Sequence, residues 1–259
     1  MKLHGGLRSG SSGERGHHLV AFVRQRAIRI CAASILTGLL TGFVGGAFRY
    51  FLLGADKLRG LMVSSAHAWP HVGWLLPVLV SALGAALVRF LVVRFAPNAA
   101  GSGIQHVEAV FRGEVRPDGA ATVPVKFLGG LLALGTGMAL GREGPVVQMG
   151  AALASWPSKV LTPDEEDFKI VQVAGAGAGL AVAFNAPIGG SIFVLEELTG
   201  SVTTWLLVAG LAAALTATWT MRGMLGNTLD FILKPANHVW SVFPFLLLGA
   251  FLGGGGRFL

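Results

Sequence analysis

Val202–Met221 runs for 20 residues without one charged side chain. As a helix rising ~1.5 Å per residue it covers ~30 Å, the thickness of a bilayer's hydrocarbon core. Trp74–Val88 is also uncharged, and Ala27–Phe48 carries only Arg29. Surface helices of water-soluble domains keep a polar stripe, and these runs keep none. Charged residues make up 13% of the chain, about half the usual share in a soluble domain. The chain is therefore read as an all-α, polytopic membrane protein whose outer face is solvated by lipid.

The net charge of +7 would point to nucleic acid in a soluble protein. Here the cations gather at the ends of apolar runs. Arg15, Arg24, Arg26 and Arg29 stand at the start of the first run, and Arg89 and Arg94 close the next pair. That distribution places the N-terminus and the charged 162–169 loop in the cytoplasm. No basic patch interleaved with aromatics occurs, which excludes a nucleic-acid partner. Cys31 is the single cysteine, so an internal disulfide and a thiolate metal centre are both excluded. The polar leader is too long for a signal peptide and lacks a cleavage site. Residues 1–23 are read as a disordered cytoplasmic tail, with His17 and His18 as tail composition rather than ligands. Residues 24–259 are read as one membrane domain.

The pattern predicts helices over Ala27–Leu53, Trp74–Phe95, Gly103–Arg112, Val125–Leu140, Gly144–Lys159, Asp167–Ala183, Ile188–Gly200, Val202–Met221 and Val239–Leu252. Several cannot cross a membrane: Gly103–Arg112 would span only ~15 Å. Breaks at membrane depth are tolerated where protein or a water-filled cavity satisfies the freed backbone. Several in one chain point to a transporter or a channel. Glycine recurs at every fourth residue in Gly38, Gly42 and Gly46, and small residues do so again at Gly129, Ala133, Gly137 and Gly141. Such faces let membrane helices approach closely. Gly175, Gly177 and Gly179 are read the same way, because no Lys-Ser/Thr follows them as a nucleotide loop requires.

Three glycine-flanked polar motifs interrupt the apolar segments. Gly101-Ser102-Gly103-Ile104-Gln105 opens a short helix. Free N–H groups and the positive dipole end favour an anion there, and the Ser102 hydroxyl adds a donor. A plain N-cap serine fits equally well. Gly141-Arg142-Glu143-Gly144-Pro145 opens another helix, with Pro145 suited to the first turn. Glu143 would occupy the place an anion wants, and protonation would release it. A structural Arg142–Glu143 pair at the headgroups is the other reading. The third motif, Ala183-Phe184-Asn185-Ala186-Pro187, leads through an apolar stretch to Glu196-Glu197. Carboxylates at a helix C-terminus oppose the dipole. An ionisable residue at the membrane edge is a functional hypothesis by default, and a solvated helix end is the alternative.

Together the motifs GSGIQ at 101–105, GREGPVVQMG at 141–150 and GLAVAFNAPIGGSIFVLEE at 179–197 resemble the CLC family of chloride channels and chloride/proton exchangers. The resemblance runs from about Arg24 to about Leu252. It implies a fold of tilted, partly broken helices in two inverted halves, of which this chain matches the first, in a homodimer with one pore per subunit. It implies a multi-pass protein of the bacterial inner membrane that moves chloride and protons and needs no cofactor. Ser102, with Gly103 beside it, matches the serine that contacts the central anion. Arg142 and Gly144 flank Glu143, which matches the gating, proton-transferring glutamate. Glu197 matches the inner proton acceptor of exchangers, and Glu196 its neighbour. Asn185 and Pro187 belong to a structural signature. Both glutamates are expected to be buried.

Two departures stand out. Gln105 occupies a position that is usually proline in the family. The Gly-x-Phe-x-Pro motif and pore-facing tyrosine of the second half are not found, so the chain is expected to be truncated. Tyr50 is the only tyrosine and suits an interfacial belt. A chloride/proton antiporter is the leading expectation, with a passive chloride channel or an inactive half-protein as alternatives. An intramembrane enzyme is disfavoured, because no Gly-x-Ser-x-Gly or His-Glu-x-x-His motif occurs.

Overall fold

The computed structural model describes residues 12–69, 72–119 and 121–226, and every regular element among them is helical. The chain forms α1 (Ser12–His67), α2 (Leu75–Phe95), a 3₁₀ turn (Pro97–Ala99), α3 (Ile104–Phe111) and α4 (Thr122–Gly135). It continues as α5 (Glu143–Leu161), α6 (Glu165–Phe184), α7 (Pro187–Phe193), a π turn (Val194–Leu198) and α8 (Thr204–Leu225). Among the described residues, four helical stretches are long and apolar enough to cross a membrane: Val20–His67 within α1, α2, α6 and α8. Large apolar side chains such as Leu83, Val202 and Trp219 point outward, as a lipid-facing surface requires.

Several boundaries differ from the sequence expectation, four elements most instructively. The first helix is longer at both ends than Ala27–Leu53. Its backbone is already helical at Ser12, inside the leader expected as a disordered tail. Near this end Arg26 is clasped by Asp167 and Glu166 of α6, at 2.7 and 3.1 Å, and lies over the Trp205 ring of α8. Beyond Leu53 there is no proline until Pro70, and an Asp56–Arg59 pair at 3.0 Å supports the added turns. Next, α4 stops at Gly135 rather than Leu140, because Gly137 adopts a left-handed φ of 98°. Gly137 and Gly141 thus lie past the helix face expected of them. The segment expected as Ile188–Gly200 is split into α7 and the π turn, which carries Glu196 and Glu197. Finally, α5 begins one residue earlier, at Glu143, and runs to Leu161. The expected helix Val239–Leu252 lies outside the described residues.

The core is built around α6, which packs on α5, α8, α1 and α7. Most of its hydrophobic window, 78%, is buried inside the protein, against 6% for α2; α6 is thus enclosed by helices while α2 lies on the outside of the described residues. Missing side chains permit this. A β-carbon at Gly150 of α5 would collide with the Gly175 carbonyl of α6, and one at Gly175 would clash with the Gly150 carbonyl. Gly177 and Gly190 are related in the same way. Gly38 and Gly42 of α1 lie against the backbone of α8 at Ala213 and Ala217. These are the close approaches that the small-residue spacing implied.

Gly150→Ala should therefore cost about 1–3 kcal/mol, the usual range for overpacking a tight contact. Gly54→Ala meets nothing within 4 Å and should be neutral, or stabilising by up to about 1 kcal/mol through helix propensity. Thermal unfolding of both variants in detergent checks this. A Gly150→Ala protein as stable as the wild type would mean that α5 and α6 do not touch along this face.

Candidate functional site

Two helix starts meet. Gly103 is the N-cap of α3, with φ of 89°, and Gly101 before it is also left-handed at 69°. Both conformations favour glycine. Because Gly103 takes the cap position, the N-cap reading of Ser102 falls. Ser102 is exposed, and its hydroxyl remains available to a ligand. Gln105 sits in the first turn of α3 without disturbing the helix. Unlike proline it keeps its own N–H, one of the donors a helix start leaves unsatisfied.

Glu143 is the first residue of α5, with Arg142 at the N-cap and Gly144 next in line. Gly144 is pressed against the loop that carries Ser102, and a β-carbon there would strike the Ser102 carbonyl oxygen. Motifs about forty residues apart in sequence are thereby joined at backbone contact. The Glu143 carboxylate folds back toward Gly141. A carboxylate at the first position of a helix is favoured by the dipole.

Glu196 and Glu197 are elsewhere. Both lie on the π turn, which packs beside α3, and both are exposed. The burial expected around Glu197 is absent among the described residues, and Glu143 is only half-buried. Asn185 closes α6 in a left-handed conformation, φ 55°, and Arg222 Nε of α8 donates to its Oδ1 at 2.7 Å. The structural role expected of Asn185 thus has a physical basis.

Sequence reading missed a buried polar group beneath the α3–α5 junction. Lys126 of α4 is buried, and its Nζ donates to the Gly101 carbonyl at 2.7 Å. Gln148 of α5 is fully buried, and its Nε2 donates to the Asn98 carbonyl at 2.8 Å and to Asp118 Oδ2 at 3.0 Å. Thr122 Oγ1 donates to Asp118 Oδ1 at 3.3 Å. His106 Nε2 lies 3.1 Å from the same oxygen, within ion-pair range but not aligned as a hydrogen bond. A signal existed: a lysine inside the apolar Val123–Leu134 run is a functional pointer by default. Asp118 and Gln148 gave none, since their meeting depends on how α3, α4 and α5 pack.

The geometry defines a class: an integral membrane protein of interrupted helices, two of whose N-termini converge beside an acidic side chain. A family model described as voltage gated chloride channel matches residues 84–259. The chain belongs to that family, the CLC proteins. It is 43% identical over 194 residues to the H+/Cl− exchange transporter ClcA of Cronobacter sakazakii, covering 71% of this chain and 41% of that one. It is 39% identical over 226 residues to the ClcA of Vibrio parahaemolyticus, covering 84% and 48%. Among solved structures it is similar to a slow cyanobacterial Cl−/H+ antiporter, with a TM-score of 0.76 and 32% identity, covering 88% of this chain and 55% of that one. A eukaryotic CLC transporter, 21% identical with a TM-score of 0.70, shares the fold. The chain spans about half the length of the curated relatives it matches.

Burial in the α3–α4 loop raises the Asp118 carboxyl above its ordinary value, while Gln148, His106, Thr122 and Lys126 act in the opposite direction. A raised acid binds more protons folded than unfolded, so stability falls as pH climbs past the ordinary carboxylate value of about 4. Asp118→Asn should flatten this part of the profile. Melting temperatures of the two proteins from pH 4 to 7 check it, and equal slopes would mean that Asp118 titrates normally.

Proposed function

We propose that this chain supplies the first half of a chloride/proton antiporter in the bacterial inner membrane, working as a homodimer. The observation that carries the reading is the contact of Gly144 with the Ser102 carbonyl, which brings two helix N-termini to one place. Free N–H groups of α3 and α5 and the Ser102 hydroxyl form an anion-attracting pole. Gly103 and Gly144 let the backbone come close, and Arg142 adds positive charge beside it. Ionised Glu143 is stabilised by the same pole and competes with chloride for it. Protonation neutralises Glu143 and frees the place, which ties proton movement to anion movement.

Glu197 supports exchange over passive conduction. It is exposed on the π turn, where it can take protons from water without standing in the anion's way. The relatives named as H+/Cl− exchange transporters favour the same choice. A second half must complete the path, because chloride held by half the donors would be left desolvated and partly unpaired, at a cost of several kcal/mol.

Simultaneous chloride and pH recording from liposomes tests the proposal. With the second half present, Glu143→Ala should leave chloride flux uncoupled from protons. Glu197→Gln should abolish proton transport while chloride still passes. Normal proton pumping by Glu197→Gln would instead favour another proton route or the channel reading. The 259-residue chain alone should show no chloride flux, and robust selective flux from it would overturn the need for a second half.

A further inference from the structure

The loop that carries Ser102 has little to hold it by itself. After the 3₁₀ turn the chain is extended at Ala100, then left-handed at Gly101 and at Gly103. Glycine is the residue with the most backbone freedom to lose, so the position of Ser102 must be imposed from outside. Two buried side chains do this. Lys126 Nζ holds the Gly101 carbonyl at 2.7 Å. Gln148 Nε2 holds the Asn98 carbonyl at 2.8 Å, and its side chain fills the space against Gly103, where a β-carbon would collide with it.

Gln148 differs from Lys126 in where it stands. It lies on α5, five positions after Glu143. One amide thus ties the loop that carries Ser102 to the helix that starts at Glu143. Its orientation is determined: Nε2 faces two acceptors, the Asn98 carbonyl and Asp118 Oδ2. Turning the amide over would set oxygen against oxygen. The cost is visible, since Gln148 Oε1 is buried without a partner. An apolar side chain of equal length would fill this space but would take the Nε2 donor away from the Asn98 carbonyl and Asp118 Oδ2. The amide therefore serves something other than packing.

We propose that Gln148, anchored by Asp118, is a positioning residue that sets the gap between Ser102 and Glu143 and thereby selects chloride over larger anions such as nitrate. This rests on the chloride site proposed above. Chloride is a single small sphere, while nitrate is flat and wider. A gap held at fixed width by direct hydrogen bonds distinguishes them by size, and a loosened loop does not. Asp118 acts at one remove, through Oδ2, with Thr122 holding its other oxygen.

The test is the chloride-to-nitrate flux ratio of the complete transporter in liposomes, with melting temperature measured in parallel. Gln148→Met keeps length and volume but has no donor, and should lower the ratio roughly tenfold, the scale at which pocket shape alone discriminates. Asp118→Ala should do the same, whereas Asp118→Asn, which still offers an acceptor oxygen, should restore most of the selectivity. A Gln148→Met protein with a lower melting temperature and an unchanged ratio would overturn the proposal, because its role would then be structural only. If Gln148→Met does not accumulate as folded protein, Asp118→Ala decides, and an unchanged ratio there also overturns it. A wild-type transporter that moves no chloride would instead overturn the site reading itself, and this inference with it.

Discussion

Hydrocarbon offers no water to a free backbone N–H or C=O, and this chain repeatedly breaks its helices between stretches long and apolar enough to cross a membrane. Three of these interruptions are bridged by a polar side chain sent from a neighbouring helix. Ser81 of α2 donates to the Thr136 carbonyl where α4 ends, at 2.8 Å. Lys126 of α4 serves the Gly101 carbonyl before α3. Arg222 of α8 serves Asn185 between α6 and α7. The breaks are therefore properties of helix pairs, and removing one of these donors would strand a carbonyl rather than merely lose a contact.

That arrangement requires helices close enough for such short reaches. Gly150 against Gly175, and Gly177 against Gly190, bring α5, α6 and α7 to backbone distance. The same absence of side chains at Gly144 lets the start of α5 rest on the Ser102 carbonyl. Packing and site thus share one device. A helix cluster held together by bulky side chains would keep the starts of α3 and α5 too far apart to touch.

Much of this was legible in the sequence. The charge-poor runs marked three of the four spanning helices, α1, α2 and α8, the glycine spacing marked α1 as a close-packing face without naming α8 as its partner, and the Gly-Arg-Glu-Gly-Pro and Asn-Ala-Pro motifs marked true breaks. The residues of the α3–α5 junction were legible because glycine, proline and charge are conspicuous among aliphatic residues. Boundaries were harder. Nothing local stops α1 at Leu53, and a π turn has no signature separable from an apolar helix. The exposure of Glu197 could not be read from its neighbours in sequence, since it depends on what packs over the π turn. The Asp118–Gln148 contact was invisible for the same reason: its partners lie 30 residues apart on segments that meet only once three helices have packed.

The two acids near the junction show how environment divides roles between like groups. Asp118 receives hydrogen bonds from Gln148 and Thr122 and stands beside His106. A carboxylate so surrounded is fixed in place, because moving it would leave several buried groups unpaired. Glu143 has no such shell among the described residues; what favours it is the N-terminus of its own helix, which would favour any anion equally. A group held only by a field can be exchanged for another of the same charge, while a group held by directed bonds cannot. Gln148 stands on the helix that starts at Glu143 and bonds to Asp118. One helix thus joins an acid held by directed bonds to one held by a field, and the proposed exchange of a proton for an anion would need both: a rigid frame, and one carboxylate that can leave its place.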